Sequence, residues 1–247
     1  MNSKPAPMKS KTALITGSTS GIGLGIAREF AKAGYNIVFN GLEKEGPKIA
    51  AAIGKEFHVN TLHSSANLLH PDEIALLFRK AIAKFGAIAV LVNNAGIQYV
   101  SPIENFPLEK WNALIGINLT AAFCTSKAAW PGMKKNKWGR IINISSAHGL
   151  VASENKSAYV ASKHGLIGLT KVLALEGAKL GITANAICPG WVKTPLTDKQ
   201  KIKLDKQAIK EFISCESIGA LALFLASDNA SMITGAAISM DGGWTAQ

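Results

Sequence analysis

The sequence predicts a single open α/β domain, and three observations carry that expectation. Apolar segments of strand type and helix type alternate along nearly the whole chain, a glycine-rich turn joins the first strand to the first helix, and 247 residues suit one such domain with a large core. Hydrophobic residues make up 48% of the chain and charged ones 17%, which fits a globular protein and excludes a disordered one.

Thr12 to Thr16 reads as a buried strand, followed at once by Gly17-Ser-Thr-Ser-Gly-Ile-Gly23 and by a helix over Ile22 to Ala33. Glycines in that place let the backbone approach a pyrophosphate, and the helix start offers free N–H groups and a favourable dipole. Asn36 to Asn40 is the second strand. At its tip, Asn40-Gly41-Leu42 supplies no acid for two ribose hydroxyls and no arginine for a 2′-phosphate, with Lys44 as the nearby cation. So little positive charge favours NAD over NADP. Glu43 to Phe57 and Pro71 to Phe85 read as helices around a third strand near Val59 to His63, with Asn67 at that strand's exit. Val90 to Val92 is the fourth strand. It runs into Asn93-Asn94-Ala95-Gly96, small residues that let a sheet edge face a nucleoside closely. Leu108 to Met133 reads as one long helix with Asn118 in its apolar middle, a placement that suggests a local hydrogen-bonding task.

Arg140 to Asn143 is a strand ending in the hydroxyls of Ser145 and Ser146, and Ala158 to Leu180 is a helix that carries Tyr159 and Lys163 one turn apart on one face. An ammonium beside a phenol favours the phenolate, so Tyr159 is expected to have a lowered pKa suited to acid–base work. Thr183 to Cys188 is a further strand, closed by Pro189-Gly-Trp-Val-Lys-Thr-Pro195. Lys199 to Phe212 is a lysine-rich amphipathic piece, Glu216 to Ser227 a helix, and Ala236 to Met240 the last strand. Ligands gather at such carboxyl ends of strands.

The formal charge is +11, but the lysines are spread over helix faces and do not form one tract with interleaved aromatics. No nucleic-acid partner is therefore expected. The three cysteines, Cys124, Cys188 and Cys215, lack metal-ligand spacing and read as reduced packing thiols, with no metal site. The N-terminal Met1 to Lys9 has no apolar core of signal-peptide length and no later stretch has the length of a membrane span, so a cytoplasmic protein away from membranes is expected.

Taken together, Thr16-Gly-x-x-x-Gly-Ile-Gly23, Asn93-Asn-Ala-Gly96, Asn118, Ser146, Tyr159-x-x-x-Lys163 and Pro189-Gly190 with Thr194 resemble the classical short-chain dehydrogenase/reductase family, over Lys11 to Gln247. The resemblance implies a single Rossmann-type doubly wound domain spanning 1–247, with a central parallel sheet flanked by helices. It implies a proton relay of Asn118, Ser146, Tyr159 and Lys163; Ser146 is preferred to Ser145 because it keeps the family's interval to the tyrosine. NAD is the implied cofactor, held by Gly17, Thr19, Ser20, Gly21, Ile22, Gly23, Asn67, Asn94, Ala95, Gly96, Tyr159, Lys163, Pro189, Gly190, Val192 and Thr194. Further segments, among them Gly96-Ile-Gln-Tyr-Val, Ser146-Ala-His-Gly and Met240-Asp-Gly-Gly-Trp244, resemble a branch of the family that acts on short 3-hydroxy acids, here D-3-hydroxybutyrate giving acetoacetate. In that branch the small-molecule substrate's carboxylate meets residues matching Gln98, His148 and Lys156. Ser146 and Tyr159 face the reacting oxygen, Gln200 sits on a lid, and Trp191 and Trp244 close the pocket. A homotetramer is implied as well.

The chain departs from this pattern in two places. The branch carries a longer helical lid where this chain has only about 195–215, and Asn67 stands where the family has an adenine-binding aspartate. Two other readings share these motifs: an NADPH-dependent 3-oxoacyl thioester reductase, and a dinucleotide-binding protein with little turnover.

Overall fold

The computed structural model describes residues 11–194, 197 and 204–246. Its core is a seven-stranded sheet in the order β3-β2-β1-β4-β5-β6-β7. The strands are β1 (Thr12–Ile15), β2 (Asn36–Asn40), β3 (Thr61–Ser64), β4 (Val90–Asn93), β5 (Gly139–Ile144), β6 (Ile182–Pro189) and β7 (Ala237–Met240). Every neighbouring pair is parallel. Parallel strands need crossovers, and the helices that supply them cover both faces of the sheet, which makes near-continuous apolar strands possible. Side chains alternate accordingly. Ala13 and Ile15 of β1 pack into one layer with Ile26 and Phe30 of α1 (Gly21–Lys32), Ile53 of α2 (Gly46–Phe57) and Ile218 of α7 (Cys215–Leu225). Leu14 points the other way, into a layer with Leu77 and Phe78 of α3 (Pro71–Phe85), Met133 of α5 (Ala121–Asn136) and Leu173 of α6 (Ser157–Gly177). The strand order reverses between β1 and β4, so the loops leaving their carboxyl ends diverge and open a crevice.

Four segments differ from the sequence expectation. α2 begins at Gly46, after a turn in which Gly46 N donates to Glu43 O at 2.9 Å, and Pro47 occupies the first helical turn where its missing N–H costs nothing. That leaves Glu43 outside the helix. β3 starts two residues late because His58 takes a left-handed conformation, φ 55°, to close α2.

The long helix expected over Leu108 to Met133 is interrupted: α4 (Leu108–Ile115) and α5 are joined by a single π turn, Gly116–Thr120, with Asn118 inside it. A π turn adds a residue to the helical repeat and turns a side chain away from the regular register. Finally, the described part of the lysine-rich piece, 204–212, is irregular and not helical. The buried side chain of Gln207 donates to Ile209 O (3.1 Å) and Glu211 O (2.9 Å), taking up carbonyls that a helix would have used. Lys199 and Gln200 lie outside the described residues. Among the described residues no helix is long and apolar enough to cross a membrane, and no group of three or more His, Cys, Asp or Glu is placed to hold a metal ion.

Candidate active site

A cleft of about 450 Å³ opens at the crevice between β1 and β4. It gathers much of the expected cofactor set: Gly17, Ser20, Gly21 and Ile22 of the first turn, Asn67 after β3, Asn94, Ala95 and Gly96 after β4, and Thr194 after β6, with Tyr159 and Lys163 at the inner end. The first turn is built for close approach. Gly17 has φ +59°, a conformation that favours glycine, and a methyl group at Gly23 would overlap the Gly17 carbonyl oxygen and lie 2.5 Å from Asn94 Nδ2. No side chain caps the start of α1, whose N-cap is Ser20, so its free N–H groups face the cleft. That chemistry suits a pyrophosphate. Thr16 Oγ1 accepts from Asn94 N (2.9 Å) and Ala95 N (3.0 Å), and Asn94 Nδ2 donates to Thr16 O (2.8 Å) and Gly17 O (2.9 Å), which locks the two loops together.

Other members of that set stand behind the cleft wall. Thr19 is buried and its hydroxyl donates to the Glu43 carboxylate. Pro189 ends β6 opposite Met240, and Gly190 N donates to Met240 O at 3.0 Å. Val192 is buried in the α1–α7 layer and bridges to Ile213.

Tyr159 is partly buried and stands on the first turn of α6, which Ser145 fastens by donating to Lys163 O at 3.0 Å. Ser146 caps a short 3-10 turn, accepting from His148 N at 3.1 Å, and its hydroxyl acts on the Tyr159 phenol. Asn118 sits behind this group with its amide engaged: Oδ1 accepts from Ile97 N (2.9 Å), and Nδ2 donates to Ile97 O (3.0 Å) and Ser162 Oγ (3.1 Å). Ser162 in turn donates to Tyr159 O at 2.8 Å, so Asn118 tethers the loop after β4 to the helix that carries the tyrosine.

The electrostatics reverse the sequence expectation for Tyr159. Its pKa is raised above the usual phenol value by burial, with the Ser146 hydrogen bond acting in the opposite direction. The Lys163 ammonium donates to Ile144 O at 2.8 Å and lies 5.7 Å from the Tyr159 ring centroid. Burial lowers Lys163 itself to about 8. The buried Cys188 thiol is pushed up to about 11 and stays neutral beside it.

Tyr159 also borders a second group, which holds most of the expected substrate residues. The His148 ring lies edge-on to Tyr159 (5.9 Å between centroids) and to Trp244 (5.0 Å), and Trp244 stacks on Trp191 at 5.7 Å. Lys156 Nζ is 5.5 Å from the Trp191 ring centroid. Gln98 is not in this group; it lines the cleft. Gln200 lies outside the described residues.

His148 is held neutral, at about 4, first by burial and then by the ammoniums of Lys156 and Lys206. A depressed pKa adds stability that is complete above the unfolded value of about 6.5 and is lost as pH falls towards the folded value. Denaturant unfolding at pH 7.5 and pH 4.5 should therefore show a larger acid loss for the wild type than for His148→Asn, by no more than about 3 kcal/mol.

Residues 17–245 match the family model described as enoyl-(acyl carrier protein) reductase. The chain belongs to the short-chain dehydrogenase/reductase family. Within that family it is 50% identical to the D-beta-hydroxybutyrate dehydrogenase of Rhizobium meliloti (strain 1021), over 96% of this chain and 99% of the relative. It is 49% identical to the protein of the same name from Cupriavidus necator, over 97% and 100%. The 3-oxoacyl-acyl-carrier-protein reductase of Staphylococcus aureus (strain Mu50) is 36% identical over 94% and 97%.

Sequence reasoning missed three residues that the structure brings to the cleft or to the Trp191–Trp244 pair. Glu43 was read as helical, yet it lines the cleft and accepts from Thr19. Gln207 and Lys206 sat in an apparently amphipathic stretch. A lone glutamine accepting from Trp191 N at 2.7 Å carries no pattern that periodicity could expose. Only the Pro47 signal, which starts α2 late, pointed to Glu43 from the sequence.

Proposed function

We propose that the chain is an NAD-dependent dehydrogenase that interconverts D-3-hydroxybutyrate and acetoacetate. One observation carries the reading: Tyr159 stands where the dinucleotide-type cleft meets a cationic, aromatic group of His148, Lys156, Trp191 and Trp244. The likeness to the two D-beta-hydroxybutyrate dehydrogenases supports it. A nicotinamide dinucleotide, when bound along the cleft, supplies the hydride acceptor and donor. Tyr159 holds the proton at its phenol oxygen, ready to give it to a ketone oxygen and take it back from an alcohol. Ser146 orients that oxygen. Lys163, in the cleft wall, binds the ribose and keeps positive charge near the phenol, and Asn118 positions the loop and helix between which they act. Lys156 supplies charge and His148 a directional donor to the substrate carboxylate, fixing which ketone face is presented.

Glu43 supports NAD over NADP. Its carboxylate, beside the end of β2, would repel a 2′-phosphate at the place where adenine ribose binds in this fold. Steady-state assays with both cofactors test this directly. The wild type should oxidise D-3-hydroxybutyrate with NAD, and Glu43→Lys should raise kcat/KM for NADP by about tenfold or more. No oxidation of the acid with either cofactor would refute the assignment.

A thioester reductase would leave Lys156 with no substrate carboxylate to meet, since its substrate lacks a free one. The same reading includes one domain over 1–247 with a shortened lid at about 195–215, a homotetramer, a cytoplasmic location and no nucleic-acid partner.

A further inference from the structure

The segment leading away from the lid is fixed at Gln207. This side chain is fully buried, accepts from Trp191 N at 2.7 Å, and donates to Ile209 O and Glu211 O. All of its strong hydrogen-bonding groups are engaged, so the backbone from which the neighbouring side chain departs is fixed. That neighbour is Lys206. Its ammonium lies 5.6 Å from the Trp244 ring centroid and donates to Ser153 Oγ at 3.3 Å. Ser153 Oγ is 2.9 Å from His148 Nε2. Lys156 stands against Trp191, the other ring of the stacked pair, so each indole carries one ammonium.

An ammonium has no lone pair, so Ser153 accepts from Lys206 and keeps its own proton to donate. The imidazole of His148 is neutral, and its Nε2 can take that proton as an acceptor. The arrangement that uses every group then puts the His148 hydrogen on Nδ1, as a donor. The two lysines also repel each other, and Lys206 contributes to lowering both Lys156 and His148. Lys156 is half-buried and Lys206 exposed, and an anion meeting both ammoniums would relieve that repulsion.

The geometry points to Lys206 as a specificity-determining residue that adds a second cation to the carboxylate site and, through Ser153, holds His148 as a donor to the substrate carboxylate. The inference rests on reading the His148–Lys156 group as a carboxylate site, and it deepens that reading. It makes the site selective for an acid over an uncharged ester of the same shape.

The test compares wild type, Lys206→Met, Lys206→Arg and Ser153→Ala on D-3-hydroxybutyrate and on its methyl ester with NAD. Butyrate titration of the intrinsic tryptophan fluorescence serves as a readout free of turnover. Lys206→Met should raise KM for the acid, and weaken butyrate binding, by about tenfold or more, with kcat changed much less. Its kcat/KM for the ester should not move. Lys206→Arg should restore most of the acid KM, and Ser153→Ala should show part of the loss. An unchanged KM and butyrate affinity in Lys206→Met, with or without a lowered melting temperature, would overturn the inference while leaving the dehydrogenase assignment intact. A wild type that fails to oxidise the acid but binds butyrate in a Lys206-dependent way would sink the assignment and keep the anion site.

Discussion

Tyr159→Phe is expected to lower kcat by about a thousandfold, within the range that one positioned acid–base group contributes. The substitution removes one oxygen and nothing else. The ring keeps its edge-on contact with His148, and the helix keeps the Ser145–Lys163 and Asn118–Ser162 bonds that place it. Dinucleotide affinity, read from NADH fluorescence, should stay close to wild type, because the glycine turn and the α1 start are untouched. The loss therefore belongs to chemistry and not to binding. It also separates two ideas about the tyrosine. Burial raises its pKa, so the free enzyme holds a protonated phenol, and Phe removes that proton. A variant that retained wild-type kcat would show that another group carries the proton.

The second large effect is expected at Gly23→Ala. The added methyl would meet the Gly17 carbonyl oxygen and Asn94 Nδ2, and both are held: Asn94 Nδ2 is already bonded to Thr16 O and Gly17 O. Neither atom is the loose end of a flexible side chain, so the turn itself must shift. Overpacking of this sort costs about 1–3 kcal/mol of stability. NADH binding should fall by about a hundredfold or more, since a displaced turn no longer presents its N–H groups to a pyrophosphate. Calorimetry for the melting temperature and a fluorescence titration for NADH measure the two losses separately. Near wild-type affinity in Gly23→Ala would mean that the turn does not contact the cofactor.

What was legible in the sequence was whatever repeats or clusters along the chain. The strand and helix periods located every strand of the sheet, and the glycine turn, the Asn93–Gly96 run and the Tyr159–Lys163 pair marked the cleft. Backbone start signals set finer boundaries that apolar spacing alone did not: Pro47 delayed α2, and a left-handed His58 delayed β3. Charge behaviour was not legible. One helical turn places Lys163 near Tyr159, but only coordinates show its ammonium drawn to Ile144 O and both groups governed by burial. Long-range contacts of single residues were likewise invisible, as with Gln207 on Trp191 or Glu43 on Thr19, because nothing local distinguishes them.

The π turn at Gly116–Thr120 also acts as a phase shifter for the helix pair it joins. A regular helix advances about 100° per residue, so one surplus residue taken up in the turn shifts by one position which downstream residues fall on a given face. Downstream of the turn, Ala121, Thr125, Ala129 and Met133 fall on the buried stripe of α5, and Thr125 reaches Asn93 Oδ1 at 2.6 Å. The π turn takes up its surplus residue within one wider loop, so α5 keeps its buried stripe against the sheet while the residue left over carries Asn118 away from the regular repeat.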